Sequence, residues 1–372
     1  MTKKVLFTSH TANFQKFNRP FMRWFKQQGY EVHYASAGGE EILDCDEQFI
    51  IPFARSPFKI SNVTAYRELK KVIKRNNYDI IHTHTPVGSV VTRLASKIAR
   101  KKGTYVIYTA HGFHFYKGAP ILNWIIYYQL EKMLSKTMDV LVTVNNEDYE
   151  IAKKKFKTNV IEKIDGVGVS LDRFLPISDE KRDKLRKDYN YSKDDNIIIF
   201  VAEFTKNKNQ RFIINALPEI IKNVDKVKVI FAGTGTELDN CVSLVGEMGL
   251  NKYVSFLGYR NDIEKLYEIS DVLVSASARE GLPVNTLEAM ATGLPVVCTK
   301  VRGHVDIVHN GLNGFLYNFE DKESFVKSVS RLLSNKKLID GIKKRNLEDV
   351  KKYSVGQVVE SMANIYQETL GL

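Results

Sequence analysis

Short apolar runs rich in Val, Ile, Phe and Tyr alternate along this chain with longer stretches in which apolar residues return every three or four positions. The runs Lys4–Thr8, Glu31–Ala35, Gln48–Ile51, Asp79–His82, Tyr105–Thr109, Val140–Val144 and Val160–Ile164 read as strands. The stretches Pro20–Gln28, Thr64–Asn76 and Ser89–Lys101 read as helices, the first of them stopped by Gly29. This alternation predicts a parallel, doubly wound α/β sheet. The pattern pauses over 176–195, which is highly charged and carries no strand signal, and then restarts. Asn196–Ala202, Val227–Ala232, Val254–Leu257, Val272–Ser275, Pro295–Cys298 and Gly314–Leu316 form the second series. Two Rossmann-like domains follow from this, over 1–175 and 196–350, with 176–195 connecting them and a tail over 351–372. Ligands of such sheets gather at the C-terminal strand ends, so a cleft between the two domains is the expected site.

The chain has 372 residues, of which 44% are hydrophobic, enough for two ordinary cores. No stretch approaches the ~18 apolar residues of a membrane span. The opening Met1-Thr-Lys-Lys4-Val-Leu-Phe has no apolar signal region, so a cytoplasmic protein is expected. Cys45, Cys241 and Cys298 are scattered and read as lone buried thiols rather than disulfides or metal ligands. Charge is distributed unevenly. Residues 1–175 hold 27 of the 55 Lys and Arg but only 16 of the 43 Asp and Glu, and the remainder is nearly balanced. Such an excess suits an anionic membrane surface or an anionic lipid-linked substrate. Surface lysines that merely aid solubility would give the same count. Nucleic acid is set aside, since there is no zinc spacing, aromatic RNA-binding motif or helix-turn-helix pattern. A dinucleotide dehydrogenase is disfavoured too, because Ser9-His-Thr-Ala-Asn-Phe14 stands where a Gly-rich turn would be needed.

The densest chemistry lies in Glu280-Gly281-Leu282-Pro283-Val284-Asn-Thr-Leu-Glu288. Pro283 suits the first position of a helix. The unpaired amides of Leu282, Val284 and Asn285 would then face a phosphate. Spacing alone fits a helix cap and a solvated helix charge equally well. Nearby are Gly233-Thr-Gly235 after a strand, the run Gly258-Tyr259-Arg260, and Lys206-Asn-Lys208. In the first half, His82, His84, His111 and His114 sit at strand ends, without the partners a zinc site requires. Asp44-Cys-Asp46 mimics a metal-binding D-x-D but stands in a polar loop before a strand.

Glu280 and Glu288, followed by Gly293-Leu-Pro-Val-Val297, resemble the E-x7-E signature of retaining GT-B glycosyltransferases of family GT4, and the likeness runs from Lys4 to about Ser334. The resemblance implies a GT-B fold with two Rossmann-like domains facing a central cleft, and a last helix, Val355–Thr369, packing back on the first domain. It implies a nucleotide-sugar donor, a UDP-sugar carrying an N-acetylhexosamine, and no metal cofactor. Glu280 would bind the sugar hydroxyls and Glu288 the ribose. Lys208 would neutralise the diphosphate, and Gly281, Leu282, Pro283 and Val284 would form the phosphate-facing helix start. Gly233 and Gly235 would lie beneath the nucleotide, with Gly258, Tyr259 and Arg260 near the base and His111 against the donor sugar. Glu203 stands where the family carries an arginine; Lys206 or Arg279 is expected to replace that cation. The acceptor would be a polyprenyl-diphosphate-linked sugar or an oligosaccharide of a bacterial capsule or exopolysaccharide. It would be met by Asn13, Phe14, Lys16, Arg19 and His84, at the inner face of the cell membrane. Two amphipathic stretches bear on membrane contact: Phe21, Trp24 and Phe25 with Arg23 and Lys26, and Trp124, Ile125, Tyr127 and Tyr128 with Lys132 and Lys136. A UDP-sugar 2-epimerase of the same fold and a non-catalytic assembly scaffold are the rival readings.

Overall fold

A computed structural model describes residues 2–57 and 59–370, which form two compact units. The first takes the described residues up to Gly168 together with those from Val355 onward, and the second is Val169–Ser354.

The first unit is built on a seven-stranded sheet. Its strands are β1 (Lys4–Thr8), β2 (Glu31–Ser36), β3 (Glu47–Ile50), β4 (Ile80–His84), β5 (Tyr105–Ala110), β6 (Val140–Thr143) and β7 (Val160–Lys163). They lie in the order β3-β2-β1-β4-β5-β6-β7. Every pairing is parallel, as in Val5 against Val32 on one side and Ile80 on the other. The second unit holds a six-stranded parallel sheet ordered β10-β9-β8-β11-β12-β13. These strands are β8 (Asn196–Val201), β9 (Val227–Ala232), β10 (Val254–Phe256), β11 (Val272–Ser275), β12 (Val296–Thr299) and β13 (Gly314–Tyr317). Both faces of this sheet are covered. Along β8, Ile198 and Phe200 join a core with Leu217 and Val329, while Ile197 and Ile199 join another with Leu287 and Met290. Two covered faces explain why β8 reads as an unbroken apolar run rather than an alternating one.

Four elements differ from the pattern reading, each for a physical reason. Helix α1 spans Gln15–Gln27 and begins before Pro20, which lies inside it. Its buried residues Asn18, Phe21, Met22 and Phe25 form one stripe at helical spacing, and this packing outweighs the hydrogen bond Pro20 cannot make. The connection from β1 is thereby short, with Ala12–Phe14 in a 3-10 turn. Helix α2 spans Ser61–Asn76. The stretch expected as one helix over Ser89–Lys101 starts earlier, as α3 (Pro86–Ala95), with Pro86 in its first turn. A short helix, Lys97–Lys101, follows. The charged stretch 176–195 carries α4 (Asp179–Asp188), capped by the Ser178 side chain and anchored by buried Arg186. The guanidinium of Arg186 donates to the Ile269 carbonyl at 2.9 Å and to Asp271 at 2.8 Å. The fourth element is α5 (Val284–Ala291): Pro283 is its N-cap, in extended conformation with ψ 106°, not its first helical residue.

The last helix, α6 (Val355–Leu370), belongs to the first unit. Its Tyr366 hydroxyl bonds His82 Nδ1 at 2.7 Å, and its ring stacks on Trp24. Phe21 and Phe25 are thus committed to the core, and half-buried Trp24 packs on Tyr366, rather than the three forming a membrane-facing stripe. No helix among the described residues is long and apolar enough to cross a membrane.

Candidate active site

In the second unit, three loops leaving the C-terminal strand ends converge on Glu280. The loop after β8 carries Lys208, whose ammonium lies 2.5 Å from Glu280 Oε1. Backbone bonds clip this loop to the one after β11: Ala278 N–H donates to the Asn207 carbonyl at 2.8 Å, and Asn207 Nδ2 donates to the Arg279 carbonyl at 3.2 Å. Burial opposes ionisation of Glu280. The charge and hydrogen bond of Lys208, with a hydrogen bond from Ser277, outweigh it and hold the carboxyl below the usual glutamate range. Glu280 is therefore an ionised acid in a nearly dry setting, neutralised by a single lysine. Lys208 has three N–H donors, and one bond to Glu280 leaves donors for a second anion.

Helix α5 starts just beyond Glu280. Its first amides have no backbone acceptor within the helix; the Asn285 side-chain oxygen takes the Thr286 N–H at 2.9 Å, so the Val284 and Asn285 amides form the anion-facing end. The side chain of Asn285 ties this end to the sheet by donating to the Val201 carbonyl at 2.9 Å. One turn on, Glu288 accepts from the Tyr267 hydroxyl at 3.3 Å, a bond that fixes the carboxylate on its helix. Gly233 ends β9 with φ +148°, and a Cβ there would run into the Ala202 carbonyl. Its N–H donates to the Gly258 carbonyl at 2.7 Å, which joins the glycine loops after β9 and β10. Gly235 lies against the Phe204 backbone.

Two expected donor residues are differently engaged. Arg260 is held by Asp262, at 2.8 Å from its Nε, and Asp262 also accepts from the Tyr189 hydroxyl. Tyr259 beside it is 77% exposed. Arg279 is half-buried in the loop that Asn207 clips, whereas Glu203 and Lys206 are exposed.

The loop after β12 completes the group and escaped sequence reading. Arg302, buried, donates from Nε to the Glu280 carbonyl at 2.9 Å. Gly303 has φ +82°, and a Cβ there would meet the Gly281 carbonyl oxygen at 2.5 Å, so this turn can press against the Glu280 loop only as glycine. His304 Nδ1 sits 3.0 Å from the Thr299 carbonyl, which can only accept, so that nitrogen carries the proton and Nε2 keeps its lone pair. Burial pushes the ring down to about 4, and Lys208 adds to the effect, so His304 is neutral at physiological pH. The signal available beforehand was Arg302-Gly303-His304 directly after a strand end, where parallel sheets bind ligands.

In the first unit, the ends of β4 and β5 bring His84 and His111 together, with His84 Nδ1 3.1 Å from His111 Nε2. Phe14 meets the His111 ring edge-on at 4.8 Å between centroids. His82, one layer below, bonds Thr109 at 2.8 Å and Tyr366. Burial lowers all three rings, His82 to about 3 and His111 to about 4. They form a neutral cluster, and among the described residues no group of three or more His, Cys, Asp or Glu could hold a metal. Arg19 does not point to this cluster as a free cation: its Nε is 2.7 Å from Asp44, which also takes Arg23. The same pairing accounts for the D-x-D lookalike, since Asp46 is paired with Lys26 at 2.7 Å. Lys16 is exposed over the Phe17 ring, and Asn13 is exposed in the 3-10 turn.

Comparison with known proteins agrees with this arrangement. Residues 181–349 match the family described as glycosyl transferases group 1, and residues 4–145 match glycosyl transferase 4-like. EpsD of Bacillus subtilis strain 168, described as a candidate glycosyltransferase, is 41% identical over 368 residues, covering 98% of this chain and 97% of EpsD. An Escherichia coli enzyme named UDP-Gal:α-D-GlcNAc-diphosphoundecaprenol α-1,3-galactosyltransferase is 29% identical, covering 87% of this chain and 84% of its own length. The crystal structure of Anabaena HepE with UDP and glucose shares the fold at a TM-score of 0.82 and 19% identity, covering 98% of this chain and all of HepE. With its two parallel-sheet units and near-full-length relatives, the chain belongs to the GT4 family of GT-B glycosyltransferases.

Proposed function

We propose that this glycosyltransferase moves an N-acetylhexosamine from a UDP-sugar to a polyprenyl-diphosphate-linked acceptor, with retention at the anomeric carbon, in the assembly of a bacterial surface polysaccharide. The observation that carries this reading is the half-buried Lys208–Glu280 pair in front of the α5 start. A diphosphate at the helix end would take the remaining Lys208 donors together with the first amides of α5, and charge growing on the leaving oxygen would be stabilised there. Glu280 would accept from the sugar hydroxyls and Glu288 from the ribose. The bond from the anomeric carbon to the phosphate oxygen breaks while the bond to the acceptor oxygen forms on the same face. The acceptor proton passes to the departing phosphate. His111 is neutral and would serve as a hydrogen-bonding group against the sugar rather than as a general acid.

The departure at Glu203 is met in this reading by Arg302, a buried cation in direct contact with the Glu280 backbone. Lys206 is exposed on the loop surface and Arg279 is half-buried. Work at the inner face of the cell membrane follows from an acceptor of this kind and fits the positive excess over 1–175.

A thermal-shift panel of UDP-, GDP- and ADP-sugars tests the donor assignment, because a ligand that binds only the folded state raises its melting temperature. UDP-sugars should stabilise the wild type and lose most of that effect in Lys208→Ala. Equal stabilisation by all three bases would remove the UDP assignment.

A further inference from the structure

A cavity of about 680 Å³ lies between the start of α2 and α3 in the first unit. One wall is α3. Its Val87, Val90 and Leu94 recur at helical spacing as an apolar stripe, and Leu94 is 41% exposed. The facing wall is the start of α2, where Ile60 and Val63 are 84% and 52% exposed. Leu130 closes the floor together with Glu131, whose charge is neutralised by buried Arg93 at 2.9 Å. Among the described residues, the other formal charges on the lining are Lys59 and Lys97, both positive. A trough with largely apolar walls, a neutralised floor and Lys59 on its lining suits a branched hydrocarbon attached to an anion.

Its position narrows the occupant. Pro86 and Val87, in the first turn of α3, line one end of the trough, and α3 directly follows β4, which ends at His84. That end therefore opens beside the strand ends where the acceptor would present its diphosphate. The ten residues of α3 give the trough a length of about 15 Å.

We infer that this trough holds the first isoprenoid units of the polyprenyl chain of the lipid-linked acceptor, while the diphosphate lies at its Pro86 end. This rests on the acceptor class proposed above and adds a site for the lipid itself.

The test is equilibrium binding of geranylgeranyl diphosphate, kept below its micelle-forming concentration, against inorganic pyrophosphate as the headgroup alone. The wild type should bind the prenyl diphosphate at least about tenfold more tightly, since burial of as few as two methylene groups is worth that factor. Val63→Asp and Leu94→Asp should each abolish the difference. Both positions are substantially exposed, and Ile60→Asp, at a still more exposed position, repeats the test without disturbing packing. Stabilisation by UDP, which reports on the second unit, should be unchanged in all three. Equal binding of the two ligands by the wild type, or prenyl binding undiminished in the variants, would overturn the inference. If the variants instead lost sedimentation with anionic phospholipid vesicles free of polyprenol, while keeping prenyl diphosphate binding, the trough would be a membrane contact and the inference would fall. Failure of UDP-sugars to stabilise the wild type would count against the donor reading alone.

Discussion

The second unit gathers formal charges at its strand ends, whereas the first gathers neutral rings. Lys208, Glu280, Glu288 and Arg302 surround a helix start in one; His82, His84, His111 and Phe14 share the corresponding strand ends in the other. Both sheets are parallel, and both place their candidate residues toward or beyond the C-terminal ends of their strands. The loops make the difference. A diphosphate must be neutralised where water is excluded, which calls for fixed cations and helix amides. An uncharged sugar hydroxyl needs only hydrogen-bonding groups that carry no competing charge, and burial keeps the histidines in that form.

The contrast can be broken most severely at Lys208. Lys208→Ala should lower kcat by roughly 10²- to 10³-fold, the cost of removing a preorganised electrostatic partner of the transition state. It also leaves Glu280 buried without its cation, so circular dichroism should accompany the kinetics. In His111→Ala, by comparison, no charge is lost, and a fall in kcat/KM of roughly tenfold, the worth of one hydrogen bond, is expected. An equal loss in both variants would erase the distinction between the two units. Glu280→Gln should fall between them, raising KM for the nucleotide-sugar more than KM for UDP alone, because the carboxylate is assigned to the sugar.

Acid titration sharpens the same contrast. The folded pKa values of His82 and His111 lie at about 3 and 4, and that of His84 is well below its ordinary value, so the unfolded chain binds protons first as pH falls. Their contribution to stability is full above the unfolded pKa of about 6.5 and is lost as pH falls toward the folded values, each ring costing up to about 1.4 kcal/mol per pH unit. The first unit holds these three rings and His10, also lowered by burial, and the second holds His304. Between pH 6.5 and 4.5, hydrogen exchange should therefore show amides of β4 and β5 losing protection faster than those of β8 and β11. Parallel loss in both units would contradict this.

The smallest effect concerns the turn that pins Glu280. Gly303→Ala places a side chain at φ +82° and against the Gly281 carbonyl, a strain of about 1–3 kcal/mol. Differential scanning calorimetry should show a fall of a few degrees in melting temperature, together with weaker UDP-sugar binding. Gly311→Ala, also at positive φ but with open space around it, should lower stability without that binding change.

Much of this architecture is legible in the residue pattern, because a buried parallel strand needs an unbroken apolar run and β8 supplies one in Asn196–Val201. Local signals failed where partners come from elsewhere in the chain. Pro20 reads as a helix start until the buried stripe from Asn18 to Phe25 is seen to continue across it. Arg19 reads as a free phosphate ligand until the turn carrying Asp44, 25 residues on, closes over it. The pair Glu280 and Glu288 was visible as spacing. The support of Glu280 by Arg302 and Gly303 was not, since it depends on two loops meeting through a positive-φ turn.

The most direct test of the account is the anomeric configuration of the product. Wild-type protein supplied with UDP-N-acetylglucosamine and a polyprenyl-diphosphate-linked sugar should give a disaccharide whose new linkage, by NMR, keeps the α configuration of the donor, and Lys208→Ala should give almost none. An inverted linkage, or epimerised donor accumulating when no acceptor is present, would contradict it.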